Sequence, residues 1–215
     1  MYAVEYVHMN DPVMHQSVSS PDTSNGIVRN DRSFFFYLVI ALALALVIRF
    51  FIAAPYIVSG SSMEPNFENW NYLIVDRITY DFNPPQRGDV IVLNLPEDTS
   101  RALIKRIIGL PGETVKLTGT NPTVTIVNAS HPEGFTINEP YISQSNFGGS
   151  SDITVTLDEN QYFVLGDNRK VSADSRIWGI LPRSDIVGRV LLRLYPFNGL
   201  GILPEEARYI AATSS

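Results

Sequence analysis

The sequence predicts a mainly β protein in which an N-terminal transmembrane helix precedes an all-β domain with an inserted β subdomain. Three observations support this prediction. The apolar run from residue 34 to residue 57 contains a single charge, Arg49. After it, short apolar runs rich in branched residues alternate with clusters of Gly, Pro, Asn and Asp. No amphipathic helix of any length is evident after residue 58.

Composition limits the chemistry open to this chain. The 215 residues, 45% of them hydrophobic, suffice for one folded domain and an extra element. Cysteine is absent, which excludes disulfides, a thiolate nucleophile and a thiolate metal site. A formal charge of −6 without a basic block argues against a nucleic-acid partner. His131 is the only histidine of the main body, and no metal-binding spacing is present, so we expect neither a metal nor a cofactor.

The first 57 residues predict an arm followed by a membrane span. Residues 1–33 are polar and lack a period, which predicts a disordered arm. A helix over residues 34–57 would cover roughly 36 Å, enough to cross a bilayer. A cleaved signal peptide is the alternative, but the polar lead is long and Arg49 interrupts the run. Arg29 and Arg32 precede the span, which predicts a single-pass membrane protein with a cytoplasmic arm and an extracytoplasmic domain over 58–215.

The outer domain should consist of short strands. Pro111-Gly112 is typical of a type II turn, in which the third residue has positive φ. The largely polar stretch from about 116 to 151, with several scattered glycines, predicts an inserted subdomain or a long hairpin. The predicted strands cover residues 72–75, 89–93, 103–108, 123–127, 153–157 and 162–165.

A loop dense in serine follows the predicted span. Residues 59–65 read Ser-Gly-Ser-Ser-Met-Glu-Pro, with apolar residues on both sides. Such a loop should lie across a hydrophobic surface, where a serine is a candidate nucleophile if a base is available. On this segment alone, a polar turn that leaves a membrane helix is the simpler interpretation.

Lys105 is the candidate base. In a strand it would share a face with Leu103 and Ile107. Burial among aliphatic groups lowers the pKa of an amine, by up to ~3–5 units for a fully buried one. A lysine that is neutral near physiological pH can accept a proton from a serine hydroxyl. The alternative is that Lys105 and Arg106 are edge-strand charges that prevent aggregation.

The polar loop over residues 166–176 is the third candidate segment. It reads Gly-Asp-Asn-Arg-Lys-Val-Ser-Ala-Asp-Ser-Arg and directly follows a predicted strand. Ser172 could hold the amine of a neutral lysine in line with the nucleophile. Asp174 and Arg176 could form an ion pair that fixes the loop.

With these segments in order, the chain resembles the type I signal peptidases, membrane-bound serine proteases that remove signal peptides from exported proteins. The motifs are S-G-x-S-M-x-P at 59–65, R-G-D-V-I-V-L at 87–93, I-K-R-I-I-G-L-P-G-E at 104–113 and G-D-N-R-x-x-S-x-D-S-R at 166–176. The resemblance implies the β fold that this family shares with LexA-like proteins. It also implies signal peptides of exported preproteins and the lipid bilayer as partners, and the plasma membrane as the location.

The resemblance also implies a role for each site residue. Ser62 becomes the nucleophile of a Ser-Lys dyad, Lys105 the general base, and Ser172 the serine that orients the lysine. Asp174 and Arg176 become the structural pair. The family cuts after small residues, as in Ala-x-Ala, and shallow apolar pockets would explain that preference. We expect the pocket walls to be formed by Ile57, Met63, Phe67, Leu103 and Ile104.

Two positions depart from the family pattern. Some members have, two places before the nucleophile, a serine whose hydroxyl helps to bind the oxyanion, and this chain has Gly60 there. The common P-T-L after the motif is replaced by Pro65-Asn66-Phe67, a change that would reshape the adjoining pocket.

Two other functions fit parts of the pattern. A LexA-like self-cleaving regulator would also use Ser and Lys, but it would need a partner domain for which this arm is short and acidic. A membrane-tethered β domain that binds a partner would place Ser62 and Lys105 far apart.

Overall fold

The computed structural model describes residues 31–47, 53–119, 123–148 and 152–202. Within these ranges, twelve strands form two antiparallel sheets, and the helices after residue 58 are one turn long. The prediction of a mainly β protein is confirmed. Residues 1–30 of the predicted arm lie outside the described ranges, as does Arg49.

The N-terminal helix α1, Asp31–Val47, is shorter than expected. Its apolar side chains from Phe34 to Leu46 are exposed. Among the described residues, no helix is both long enough and apolar enough to cross a membrane. The prediction of helix as far as Ile57 was wrong at its end, because Ala53–Ile57 is a strand, β1. An apolar run does not by itself distinguish a helix from a buried strand, and Pro55 suits an edge strand better than a helix interior.

The larger sheet has the strand order β1-β2-β11-β3-β4-β9-β10, and β12 pairs with β11. Helix α2, Thr79–Phe82, follows β2, and helix α3, Ser175–Trp178, precedes β10. The bounds of the strands after β1 are Tyr72–Asp76 for β2, Val90–Leu95 for β3, Asp98–Gly109 for β4, Gln161–Leu165 for β9, Leu181–Pro182 for β10, Ile186–Tyr195 for β11 and Gly201–Ile202 for β12.

The smaller sheet, in the order β7-β6-β5-β8, is inserted between β4 and β9. Its strands are Thr114–Thr118 for β5, Thr123–Asn128 for β6, His131–Thr136 for β7 and Ile153–Thr156 for β8. The chain enters it through Pro111-Gly112, and Gly112 has the positive φ, 78°, that a type II turn requires. Buried side chains from both sheets, including Ile108, Phe163 and Val115, form one core.

A second core lies beneath the serine-rich segment. Met63 and Phe67 are buried there against residues of the larger sheet, including Leu73, Val92 and Val190. Strand β4 lies between β3 and β9, in the interior of the sheet. The interpretation of Lys105 and Arg106 as edge-strand charges is therefore wrong.

Candidate active site

Ser62 lies in a turn between β1 and β2. Buried side chains hold this turn on the core, and hydrogen bonds join its two ends. Met63 and Phe67 are 1% and 2% exposed and hold the turn on the core. Val58 N donates to Asn71 O at 2.9 Å, and Trp70 N donates to Val58 O at 2.9 Å, which closes the segment. Ser62 itself remains partly exposed. The segment therefore presents one hydroxyl on a rigid apolar base.

Lys105 reaches this hydroxyl from β4. Its Nζ lies 2.8 Å from Ser62 Oγ and donates to Ile104 O at 2.9 Å. The residue is 2% exposed. Burial lowers the pKa of Lys105 to about 8, and Arg176 acts in the same direction, while Asp174 and Asp167 oppose the shift. At pH 7 about one lysine in ten is then neutral.

Asp174 and Arg176 form an ion pair in the polar loop. Arg176 Nε and Nη2 donate to Asp174 Oδ1 and Oδ2, each at 2.8 Å. Asp174 also caps helix α3 by accepting from Arg176 N, and its Oδ2 accepts from Gly166 N at 3.0 Å. Arg176 Nη2 donates to Arg169 O at 2.9 Å. The pair thus ties together the two ends of the loop.

Ser172 is buried in this loop, but its hydroxyl has no hydrogen-bond partner in the structure. The expected contact with the amine of Lys105 is not made in this structure. Ser172 lies instead against Gly166, which in turn packs on the backbone of Ser62. The unpaired hydroxyl is therefore close to the nucleophile segment.

A buried ion pair beside Lys105 was not predicted. Arg106 Nε and Nη2 donate to Asp167 Oδ1 and Oδ2 at 2.8 and 2.7 Å, and the two side chains are 1% and 0% exposed. Arg106 Nη1 donates to Gly88 O at 2.9 Å. Next to Asp167, Asn168 N donates to Ser62 O at 2.9 Å. The pair thus connects the strand of Lys105 with the loop that holds Ser62 in place.

A small cavity of about 100 Å³ opens beside the two reactive atoms. Ile57, Leu103 and Ile104, three of the expected pocket walls, line it. Met63 and Phe67, the other two, are absent from this lining and belong to the buried core. The complete lining is Tyr56, Ile57, Val58, Ser59, Ser62, Leu73, Val92, Ala102, Leu103, Ile104 and Lys105.

Gly60 has a backbone conformation that favours glycine. Its φ is 104°, and a Cβ built on it would meet nothing within 4 Å. Its N–H donates to Asn69 Oδ1 at 3.2 Å. Glycine at this position is thus explained by backbone conformation, and it leaves the site without a side-chain donor there.

His131 is exposed on β7 of the smaller sheet and packs against Phe135. No group of three or more His, Cys, Asp or Glu side chains within the described ranges could hold a metal ion.

The chain is similar in sequence to proteins of one known family. The family model described as "Signal peptidase, peptidase S26" matches residues 32–195. The probable signal peptidase I-1 of Synechocystis sp. is 39% identical over 176 residues, which cover 77% of this chain and 83% of the relative. The signal peptidase I of Leptolyngbya laminosa is 40% identical over 177 residues, 79% of this chain and 82% of the relative.

Two further similarities are to a Bacillus relative and to a solved structure. Signal peptidase I S of Bacillus subtilis is 37% identical over 171 residues, which cover 75% of this chain and 87% of the relative. A crystal structure of a signal peptidase I from Enterococcus faecalis is 33% identical and covers 50% of this chain and 97% of its own, with a TM-score of 0.40. The family assignment rests on the family model and on the sequence relatives.

Proposed function

The chain belongs to the signal peptidase family, peptidase S26, and from this premise we propose which residues carry out its reaction. It is a serine endopeptidase that cleaves signal peptides. In this proposal Ser62 is the nucleophile and Lys105 is the general base. The observation that supports the proposal most strongly is the distance of 2.8 Å between Ser62 Oγ and the Nζ of a buried lysine.

The proposed reaction is acyl transfer through the Ser62 hydroxyl. Neutral Lys105 accepts the hydroxyl proton as Ser62 Oγ attacks the scissile carbonyl carbon, and it then donates that proton to the leaving amine. Water attacks the resulting ester while the same amine accepts a proton from the water. Lys105 then donates that proton to Ser62 Oγ as the acyl–oxygen bond breaks, which releases the carboxylic acid product and restores the hydroxyl and the neutral amine. Because burial lowers the pKa of Lys105 to about 8, the amine can take both roles near neutral pH.

The charge that develops on the carbonyl oxygen needs a donor. In this proposal the backbone N–H of Ser62 supplies it. Gly60 has no side chain to contribute, and its own N–H is directed to Asn69 Oδ1. The side-chain donor of some relatives therefore has no equivalent at this position.

The cavity beside the dyad supports a preference for small residues before the cut. Its small volume of about 100 Å³ and the aliphatic side chains of Ile57, Leu103 and Ile104 in its lining suit a small apolar side chain such as that of alanine. We therefore extend the proposal to cleavage of exported preproteins after Ala-x-Ala sequences. Neither a metal nor a cofactor takes part in this scheme.

The proposed location is the plasma membrane, with α1 as part of a single anchor. The helix is apolar on all sides, and Phe34, Tyr37 and Leu42 are 65%, 68% and 60% exposed. A helix that is apolar all round is typical of a lipid environment. Arg29, which precedes the helix in the sequence, and Arg32, in its first turn, favour a cytoplasmic N-terminus and an extracytoplasmic catalytic domain.

Cleavage of an Ala-x-Ala precursor by the full chain in detergent tests the proposed roles. The wild type should release the signal peptide, and Ser62→Ala and Lys105→Ala should each abolish cleavage while the proteins remain folded. Full activity in either variant would remove that residue from the mechanism.

A further inference from the structure

The side-chain amide of Asn66 connects three segments that meet at the dyad. Asn66 follows Ser62 closely in the same turn and is half-buried. Its Nδ2 donates to Asp167 Oδ2 at 2.8 Å and to Tyr141 O at 2.8 Å. Both protons of the amide are thus used, one toward each neighbouring segment.

The first acceptor, Asp167, leads to the strand of the proposed base. Its Oδ2 also accepts from Arg106 Nη2 at 2.7 Å, in the buried ion pair described above. Arg106 is the residue after Lys105 in β4. One carboxylate therefore receives hydrogen bonds from both the nucleophile turn and the residue next to the base.

The second acceptor belongs to a segment of the insertion that we call the strap, residues 137–148. The strap returns a hydrogen bond to the nucleophile turn, since Asn146 Nδ2 donates to Glu64 O at 2.7 Å. The ring of Tyr141 lies 4.0 Å from the guanidinium of Arg106, measured to the ring centroid. Two asparagine side chains therefore join the turn and the strap in opposite directions, beside the buried ion pair.

We propose that Asn66 is a positioning residue for signal-peptide cleavage, which holds the turn so that Ser62 Oγ stays within hydrogen-bond distance of Lys105 Nζ. This inference rests on the proposed roles of Ser62 and Lys105. Displacement of a reacting group by about 1 Å can cost on the order of 100-fold in rate. An anchor between the turn of one reactive group and the strand of the other acts directly on that distance.

The chemistry of the position calls for an uncharged group with two donors. A carboxylate at residue 66 would place a second negative charge against Asp167 and donate nothing. A threonine offers one donor, so it can satisfy Asp167 or Tyr141 O but not both. A valine has nearly the same shape as threonine and offers none. The threonine and valine variants therefore isolate the hydrogen bond from the packing.

The test compares kcat and KM of the full chain in detergent, on an Ala-x-Ala peptide, for wild type, Asn66→Leu, Asn66→Thr and Asn66→Val. We expect Asn66→Leu and Asn66→Val to lower kcat about tenfold or more with KM within about twofold, because substrate contacts remain while alignment is lost. Asn66→Thr should keep a several-fold higher kcat than Asn66→Val.

Asn128→Leu is the matched control. Asn128 is also half-buried and also donates to a carboxylate, Glu113 Oε1, at 3.1 Å, but it lies in β6 of the smaller sheet. This variant should lower the melting temperature without changing kcat per folded molecule. A purely structural role for Asn66 would give the same result in its own variants.

Wild-type kcat in Asn66→Leu, or equal kcat in Asn66→Thr and Asn66→Val, would overturn the inference. If Asn66→Leu does not fold, the threonine and valine pair decides. Ser62→Ala and Lys105→Ala, measured in parallel, separate the two levels of the argument. If they retain activity, the proposed dyad is wrong. If they are inactive while every Asn66 variant has wild-type kcat, only the role of Asn66 is wrong.

Discussion

Gly166 packs directly against Ser62. A Cβ built on Gly166 would lie 2.5 Å from Ser62 O and 2.2 Å from Ser172 Oγ. Both distances are far below van der Waals contact, so only a glycine allows the polar loop to approach the nucleophile turn this closely. In the same loop, Asn168 N donates a hydrogen bond to Ser62 O at 2.9 Å. The position of the nucleophile thus depends on the fit of two loops as well as on its own turn.

Gly166→Ala should therefore impair catalysis. The added methyl group must push Ser62 or Ser172 away, so we expect a fall in kcat of at least about tenfold and a lower melting temperature. Gly201→Ala is the control, since a Cβ there meets nothing within 4 Å. Wild-type kcat in Gly166→Ala would show that the close contact does not position the nucleophile.

Lys105→Arg should be as inactive as Lys105→Ala. A guanidinium keeps its proton at working pH and cannot accept one from Ser62. Gel electrophoresis of a precursor before and after incubation with each variant measures the cleavage rate. Lys116→Arg, on an exposed residue of β5, should cleave at the wild-type rate. Substantial cleavage by Lys105→Arg would mean that position 105 supplies only positive charge.

The buried amine should make the protein less stable than an inactive variant at neutral pH. Burial lowers the pKa of Lys105 to about 8 from an ordinary value of 10.5, so below pH 8 folding buries an ammonium. The unfolded chain binds the extra proton between about pH 8 and 10.5, and in that window the contribution of Lys105 to stability rises with pH.

Lys105→Met removes this cost while it keeps a similar shape. At pH 7 the variant should be more stable than the wild type by up to about 3 kcal/mol. The difference should shrink from pH 8 to pH 10.5, and denaturant unfolding at several pH values measures it. A variant that is less stable than the wild type at pH 7 would show that the ammonium is well solvated in the folded state.

Ser172→Ala should lower kcat without lowering the melting temperature. The hydroxyl is buried and unpaired, so its removal should leave the melting temperature unchanged or slightly higher. If Ser172 orients the amine of Lys105 during the reaction, kcat should fall without being abolished, by about tenfold. Wild-type kcat in this variant would exclude the orienting role.

The sequence predicted correctly those strands whose residue pattern is clear. It could not decide the structure of segments whose pattern fits two kinds of element. The runs at 72–75 and 162–165 are apolar between turn residues, and both are strands. Strand β11 was missed because Gly188 and two arginines interrupt its apolar residues. Position 188 requires glycine, because a Cβ at this position would lie 2.3 Å from Asp76 O of the neighbouring strand.

The same limit applies to the site. The proximity of Ser62 and Lys105 could be expected from motif order, because each motif occupies its place along the chain. The burial of Met63 and Phe67 could not be expected, since an apolar residue in such a serine-rich turn can face either the solvent or the core, and the local turn decides. The hydrogen-bond partners of Asn66 could not be identified from the sequence, because Asp167 and Tyr141 are distant in sequence and meet Asn66 only through packing between loops.

The ionisation of Lys105 in the folded protein tests the central claim most directly. The chain has only three lysines, so NMR of lysine labelled with ¹³C at Cε can follow each one, and the resonance missing from Lys105→Arg identifies residue 105. The structure predicts that this resonance titrates with a pKa of about 8. A titration of Lys105 only near the ordinary lysine value of about 10.4 would contradict its role as the neutral base for Ser62.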